Sequence, residues 1–385
     1  MITILADDLS GALDTGVMFR PWIPTEVWPE IPRVLDQHAK AVVMNMNTRH
    51  ATSSALTRQY LTGISKIPKI PSPVYYIKVD STLRGPIAQT LKILLQALPQ
   101  YHGILLCSAF PETGRTIIGG HLMVDGQFAE TTSVAYDPHN PLTTGDIPTL
   151  VHDVDLPVTI WDLHRLRNRQ LPDLSQRRIY VADAVSRDDL TYLSQLSVQY
   201  PGLLPVGSAG WAKSLAEKWC PESGIQGDVT SVTFDQIVAV VGSMHPRSSE
   251  QIDYVTQRPG WHVETLGSQS AQSIALPQSG HIIFRTPRKV TAHAAENINT
   301  TLTALHTLLA SKRSTVLVST GGDTSLILMQ QLQIRKLEPL IELSPGVVMS
   351  RGDFHNRPLY YITKSGAFGP PSFFKDLERL LTVQN

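Results

Sequence analysis

The chain has 385 residues, 42% of them hydrophobic and 17% charged, a length that calls for two domains and a composition ordinary for a soluble globular protein. Lysine plus arginine and aspartate plus glutamate number 33 each, so the formal net charge is zero; with no basic cluster either, a nucleic-acid partner or a polybasic membrane-surface role is not expected. Cys107 and Cys220 lie far apart and in no metal-ligand spacing, which excludes a zinc knuckle or a disulfide framework and fits a reducing compartment.

The sequence opens directly into the apolar run Ile2 to Ala6, with no basic segment before it. No apolar run approaches the ~18 residues of a membrane span, so a cytoplasmic location with no membrane partner is expected. From there, short apolar runs repeatedly end in small or polar residues and give way to helical patterns. Ile2 to Ala6 runs into Asp7-Asp8, Ala41 to Met44 into Asn45, and Val74 to Val79 into Asp80-Ser81. Ile104 to Cys107 runs into Ser108, Ile179 to Ala182 into Asp183, and Leu203 to Val206 into Gly207-Ser208. Between them, Ile87 to Leu98 carries apolar residues at helical spacing. Strand-then-helix alternation of this kind predicts an α/β fold of two domains, each a mainly parallel sheet flanked by helices.

Tyr136 to Thr149 is proline-rich and reads as a loop. From Cys220 to Asp235 the text is breaker-rich and not periodic, which places a linker between a domain over 1–225 and a second over 236–385. Strands are expected there at Gln236 to Val241, Gly280 to Arg285, Thr315 to Ser319 and Leu359 to Thr363, with a long amphipathic helix between Ala292 and Ala310.

Ligands of open α/β sheets bind outside the carboxyl ends of the strands, so the residues at each strand end carry the functional reading. Asp7 and Asp8 end the first strand; either can accept a hydroxyl hydrogen or hold Mg²⁺ through water, and either can simply cap the following helix. Lys78 and Asp80 fall on one face of the third run by alternation. Ser81 and Thr82 then open a helix whose N–H groups suit an anion, with Arg84 able to grip a carboxylate. The competing reading is a Lys78–Asp80 surface pair. Arg49, in Asn45-Met46-Asn47-Thr48-Arg49-His50, is a further carboxylate-binding candidate or a solvated loop arginine. Arg115, in the turn after Ala109-Phe110-Pro111, faces either site or solvent. Further on, Gly242-Ser243 ends one strand and Thr320-Gly321-Gly322-Asp323-Thr324-Ser325 another. A Gly-Gly pair admits a phosphate close to the backbone and can form an anion nest, and it can equally be a tight turn with an N-cap at Asp323 or Thr324. Lys364-Ser365-Gly366-Ala367-Phe368-Gly369 follows the last strand, with Lys364 placed to meet a phosphate. No Walker loop, G-x-G-x-x-G, H-E-x-x-H or G-x-S-x-G occurs, which weighs against a P-loop kinase, a dinucleotide oxidoreductase, a zincin and an α/β-hydrolase.

Taken together and in order, these segments resemble the four-carbon acid sugar kinases, which include D-threonate and D-erythronate kinases. The resemblance runs over nearly the whole chain: Ala6 to Ala12 with Asp14-Thr15-Gly16, Lys78 to Gly85, Ala109-Phe110-Pro111, Gly114-Arg115-Thr116 and Asp137-Pro138. It continues through Gly242-Ser243, Thr320 to Thr324, Pro345-Gly346 and Lys364 to Gly369. It implies an N-terminal domain that binds the sugar acid and a C-terminal domain that binds ATP. Asp8, Arg49, Lys78, Asp80 and Ser81 are then implied at the substrate, with Arg84 beside them, and Ser243, Gly321, Gly322, Asp323, Thr324 and Gly366 at the nucleotide. Ser10 stands where the family usually has threonine, and Gly207-Ser208-Ala209-Gly210-Trp211 and Met244-His245-Pro246-Arg247 also depart from its usual pattern.

The implied reaction moves the γ-phosphoryl group of ATP, with Mg²⁺, to the terminal hydroxyl of the acid, D-threonate first and D-erythronate second. Arg49 and Lys78 are expected to hold the carboxylate, and Asp8 or Asp80 to orient the attacking hydroxyl, with closure of the domains excluding water. The competing readings are a 3-oxo-tetronate kinase and a non-enzymatic two-domain sensor of a small acid. A homodimer is compatible with all three, and no residue pattern identifies metal ligands.

Overall fold

A computed structural model describes residues 1–35, 40–68, 74–136, 141–220, 232–243, 245–265, 280–286, 303–311 and 313–381. The chain divides into two compact units, Met1–Ile225 and Gln226–Asn385. Most of the expected linker, the motif residues Asp137-Pro138, Met244 and much of the expected helix from Ala292 lie outside the described residues; the end of that helix, 303–310, is helical.

Among the described residues the first unit is built on eight strands: β1 (Ile2–Ala6), β2 (Thr25–Trp28), β3 (Ala41–Asn45), β4 (Val74–Lys78), β5 (Gly103–Cys107), then, after a small separate sheet, β9 (Val158–Trp161), β10 (Ile179–Ala182) and β11 (Leu203–Gly207). Their order is β2-β3-β1-β4-β11-β5-β10-β9, and every pairing is parallel. Such a sheet is covered on both faces, which is why β1, β3, β5 and β11 are buried at every position and read as unbroken apolar runs. The separate sheet is an antiparallel ribbon of β6 (Arg115–Ile118), β7 (His121–Val124) and β8 (Gln127–Phe128). Asp183, at the end of β10, ties it down by accepting the amides of Gly119 and Gly120 at 2.6 and 2.8 Å.

The winding of this sheet positions the site. The chain passes from β1 through β2 to β3 on one side, then crosses to β4 on the other. The crevice of a doubly wound sheet opens at such a switch point. Register brings the three strand ends level, with Ala6 opposite both Asn45 and Lys78.

The second unit repeats the device. Its strands are β12 (Gln236–Val241), β13 (Trp261–Thr265), β14 (His281–Arg285), β15 (Thr315–Thr320), β16 (Leu337–Ser344), β17 (Val347–Phe354) and β18 (Arg357–Lys364). The order is β13-β14-β12-β15-β18-β17-β16. From β13 to β18 the neighbours are parallel, whereas β18, β17 and β16 form an antiparallel meander that the sequence reading lacked. The core gathers Ile237, Ala239, Val316, Val318 and Ile362 from the strands with Phe373, Phe374 and Leu377 from the final helix, Phe373–Leu381. Val241, Thr320 and Lys364 stand in one row across β12, β15 and β18, so their following loops share one edge. Among the described residues no helix is long and apolar enough to cross a membrane.

Candidate active site

At the switch point of the first unit, charged side chains from the three strand ends meet. Asp8 caps the helix Leu9–Phe19: its Oδ1 accepts the Gly11 amide at 2.8 Å. The other oxygen accepts from Arg49 Nη1 at 2.9 Å, so capping and ion pairing are both realised in one carboxylate. Arg49 Nε donates to Asp7 Oδ2 at 2.8 Å, and Nη2 stands 3.8 Å from Asp80 Oδ1. Burial works against the Arg49 charge, but Asp7, Asp8 and Asp80 outweigh it and hold the guanidinium pKa well above its ordinary value. Arg49 is therefore no solvated loop arginine. It is the brace that keeps three carboxylates together.

Lys78 is only 4% exposed. Its Nζ stands 3.8 Å from Asp7 Oδ1, so the Lys78–Asp80 surface pair is not formed. A Cβ on Gly11 would lie 2.4 Å from that Nζ, so a larger residue there would displace the ammonium from the helix start. Asp7 Oδ1 is buried with no hydrogen-bond donor among the described residues. Asp80 is gripped in bidentate fashion by Arg84, with Nε to Oδ2 at 2.6 Å and Nη2 to Oδ1 at 3.0 Å, and it also accepts from the Thr82 hydroxyl. Burial would raise its pKa, yet Arg84 first and Arg49 second hold it well below the usual carboxylate range.

One expectation here is overturned. Ser81 and Thr82 form a turn, and the next helix begins only at Ile87, after Pro86. Leu83 and Gly85 both sit at positive φ, and Gly85 packs against the Arg49 backbone, where a Cβ would meet the carbonyl at 3.1 Å. The tight turn, not a helix terminus, sets Asp80, Ser81 and Arg84. Arg115 starts β6 with its guanidinium close enough to feel Asp80 and Arg84, and burial lowers its pKa.

In the second unit the glycine-rich loops converge. A Cβ on Gly242 would fall 2.0 Å from Thr324 Oγ1, and one on Gly366 would fall 1.9 Å from Ser243 Oγ. Gly321, at φ +95°, has Thr324 Oγ1 and Ser243 Cβ just under 4 Å from such an atom. Gly321 precedes the helix Gly322–Gln331, whose first turn carries Asp323. Ser243, Gly321, Thr324 and Gly366 thus wall one small cradle. Thr320 Oγ1, buried at the end of β15, has no partner among the described residues. Beside the cradle a cleft of about 760 Å³ is lined by Val241, Ser243, Pro246, Asp253, Thr265 and Arg285. Backbone amides at a helix start and hydroxyls around glycines are the donor set that an oligophosphate requires.

Lys364 departs from expectation. It does not extend toward a phosphate: it is fully buried and donates to the carbonyls of Ser365, Gly366 and Phe368. Sequence reading also passed over Gln251 and Ser248, which bond the same loop from the helix Pro246–Thr256. Nothing in their local pattern marks them, because the loop they hold is more than a hundred residues away.

Residues 2–215 match a family model described as a sugar-binding N-terminal domain, and residues 238–374 one described as a nucleotide-binding C-terminal domain. A 3-oxo-tetronate kinase of Pseudomonas fluorescens is 27% identical over 97% of this chain and 95% of its own. A D-threonate kinase of Salmonella typhimurium is 26% identical over 97% and 96%, and a D-erythronate kinase of Heliobacterium modesticaldum 26% over 96% and 94%. Crystal structures of proteins from Salmonella typhimurium LT2 and Haemophilus influenzae share the fold, with TM-scores of 0.79 and 0.75 at 22% and 19% identity; they cover 99% of both chains and 98% and 99% respectively.

Proposed function

We propose, for a chain that belongs to the four-carbon acid sugar kinase family, transfer of the γ-phosphoryl group of ATP to the terminal hydroxyl of a four-carbon acid with hydroxyls on both C2 and C3. D-threonate is the first candidate and D-erythronate the second. The observation that carries this choice is Asp7 Oδ1, an acceptor buried at the switch point with no hydrogen-bond donor among the described residues. Carboxylates accept hydroxyl hydrogens, and a 3-oxo group brings none, so a buried acceptor would be left unpaired. The 3-oxo-tetronate kinase of Pseudomonas fluorescens keeps the oxo acid as the second reading.

In this reading Arg84 faces the substrate carboxylate, because its side chain is the most exposed of the three cations, at 27% against 13% for the side chain of Arg49 and 5% for that of Lys78. Lys78 adds charge from behind, and Ser81 offers a hydroxyl. Arg49 braces the aspartates. Asp8 orients the attacking hydroxyl and takes up its proton. Asp80, doubly bonded to Arg84 and held strongly acidic, is the poorer proton acceptor. The loose transition state of phosphoryl transfer asks more for alignment than for a strong base. Ser243, Gly321, Gly322, Thr324 and Gly366 cradle the phosphates, with Asp323 at the helix start beside them. Mg²⁺ bound to ATP supplies charge neutralisation.

The test is proton-coupled ³¹P NMR of the product from Mg-ATP and D-threonate. Attachment at the terminal CH₂–O gives a triplet. A doublet, reporting a secondary hydroxyl, or no ester from any hydroxylated four-carbon acid overturns the proposal.

A further inference from the structure

A fully buried lysine needs acceptors, and Lys364 finds them in a single loop. Its Nζ lies 2.9 Å from the Ser365 carbonyl oxygen, 3.4 Å from that of Gly366 and 3.0 Å from that of Phe368. From the other side, Gln251 Nε2 reaches the carbonyls of Phe368, Gly369 and Pro370 at 3.0, 3.1 and 3.0 Å, and Ser248 Oγ that of Gly366 at 3.1 Å. The loop is pinned at both flanks. The Gly321 amide donates to the Lys364 carbonyl at 2.9 Å, and a Cβ on Gly346 would strike the Phe368 ring at 2.1 Å.

The consequence follows from peptide geometry. In a planar trans peptide the C=O of one residue and the N–H of the next point in opposite directions. Carbonyls of Ser365, Gly366 and Phe368 drawn onto Lys364 therefore turn the amides of Gly366, Ala367 and Gly369 away from it. Among the described residues, no main-chain carbonyl accepts from these three amides. Gly366 is the residue that closes on Ser243 in the cradle. We infer that Lys364 is a positioning residue for the nucleotide, an internal ammonium that gathers the loop's carbonyls so that its amides become phosphate donors. The inference rests on the kinase reading of the cradle and reverses the direct phosphate contact expected of this lysine. The flanking strands set Thr320 and Val347 beside it, the final helix sets Phe373 at 5.4 Å, and the charge of Arg247 bears on it.

The experiment is steady-state kinetics of the full chain with Mg-ATP and D-threonate, comparing wild type with Lys364→Met and Gln251→Met, each checked for folding by its melting transition. The methionines keep the side-chain length and remove the donors. The expected result is KM for ATP raised about tenfold or more in each variant, with KM for the acid unchanged. If Lys364→Met fails to fold, Gln251→Met carries the test, since it releases the carbonyls of Phe368 and Gly369 from the opposite side. Unchanged KM for ATP in the folded variants overturns the inference while leaving the kinase reading intact, as does a parallel rise in both KM values. Failure of the wild type to bind Mg-ATP, measured calorimetrically, overturns both.

Discussion

Replacing Arg49 with methionine removes a group that reaches Asp7, Asp8 and Asp80 together. The ion pairs with Asp7 at 2.8 Å and Asp8 at 2.9 Å disappear, and so does the longer approach to Asp80 at 3.8 Å. Taking one partner from a buried ion pair costs ~3–5 kcal/mol, because the other charge stays behind unpaired. Lys78 remains 3.8 Å from Asp7, and Arg84 keeps its two bonds to Asp80, whereas Asp8, among the described residues, keeps the Gly11 amide alone. The expected destabilisation at neutral pH is thus at the lower end of the range, about 3 kcal/mol. Its pH dependence has a definite sign. In the wild type the depressed Asp80 contributes stability above its ordinary pKa, and this is lost as pH falls through the folded value. Without Arg49, Asp80 keeps Arg84 but is held down less strongly, so the variant's deficit shrinks as pH falls through the ordinary carboxylate range and below it. Urea unfolding of both proteins at neutral pH and at about pH 4 and below measures this. A deficit below ~1 kcal/mol, the worth of an exposed pair, or one that does not change on acidification, refutes the reasoning.

Asp8→Asn preserves the shape of the cap and removes the proton acceptor, so kcat should fall by ~10²–10⁴ while ATP affinity measured by calorimetry stays put; normal turnover removes Asp8 from its role. Gly366→Ala forces a methyl to within 1.9 Å of Ser243 Oγ, and KM for ATP should rise while KM for the acid does not, as initial-rate kinetics will show. Burial, with Arg247 adding to it, pushes the Lys364 ammonium from 10.5 down to about 7. The unfolded chain then binds the extra proton between these values, so this residue makes stability climb with pH over that window, by at most ~1.4 kcal/mol per unit. Denaturant unfolding of wild type and Lys364→Met across the window should show the steeper rise in the wild type.

Much of the fold was legible because parallel strands covered on both faces must be apolar throughout, as β1, β3, β5 and β11 are. What escaped were strands without such runs. β13 is largely half-exposed, β16 carries Pro339, and β17 alternates buried and exposed in its second half. Clustering at strand ends marked Asp7, Asp8, Arg49, Lys78 and Asp80, yet local pattern could not say that Arg49 would be turned inward as a brace, since that depends on where β3 ends relative to β1. Ser81-Thr82 looked like a helix start, but Gly85-Pro86 behind them delays the helix to Ile87. The direction of Lys364 was likewise hidden. A lysine before a glycine loop reads as a phosphate ligand until the loop's carbonyls are seen to surround it.

The most direct measurement is ADP release by the wild-type protein with Mg-ATP against D-threonate, D-erythronate, their L forms and 3-oxo-tetronates. Turnover that depends on one of the hydroxylated acids, with the oxo acids slower, is the predicted result. Turnover fastest with a 3-oxo acid contradicts the acceptor argument drawn from Asp7 Oδ1, and no turnover with any four-carbon acid contradicts the assignment of the switch-point cluster as their binding site.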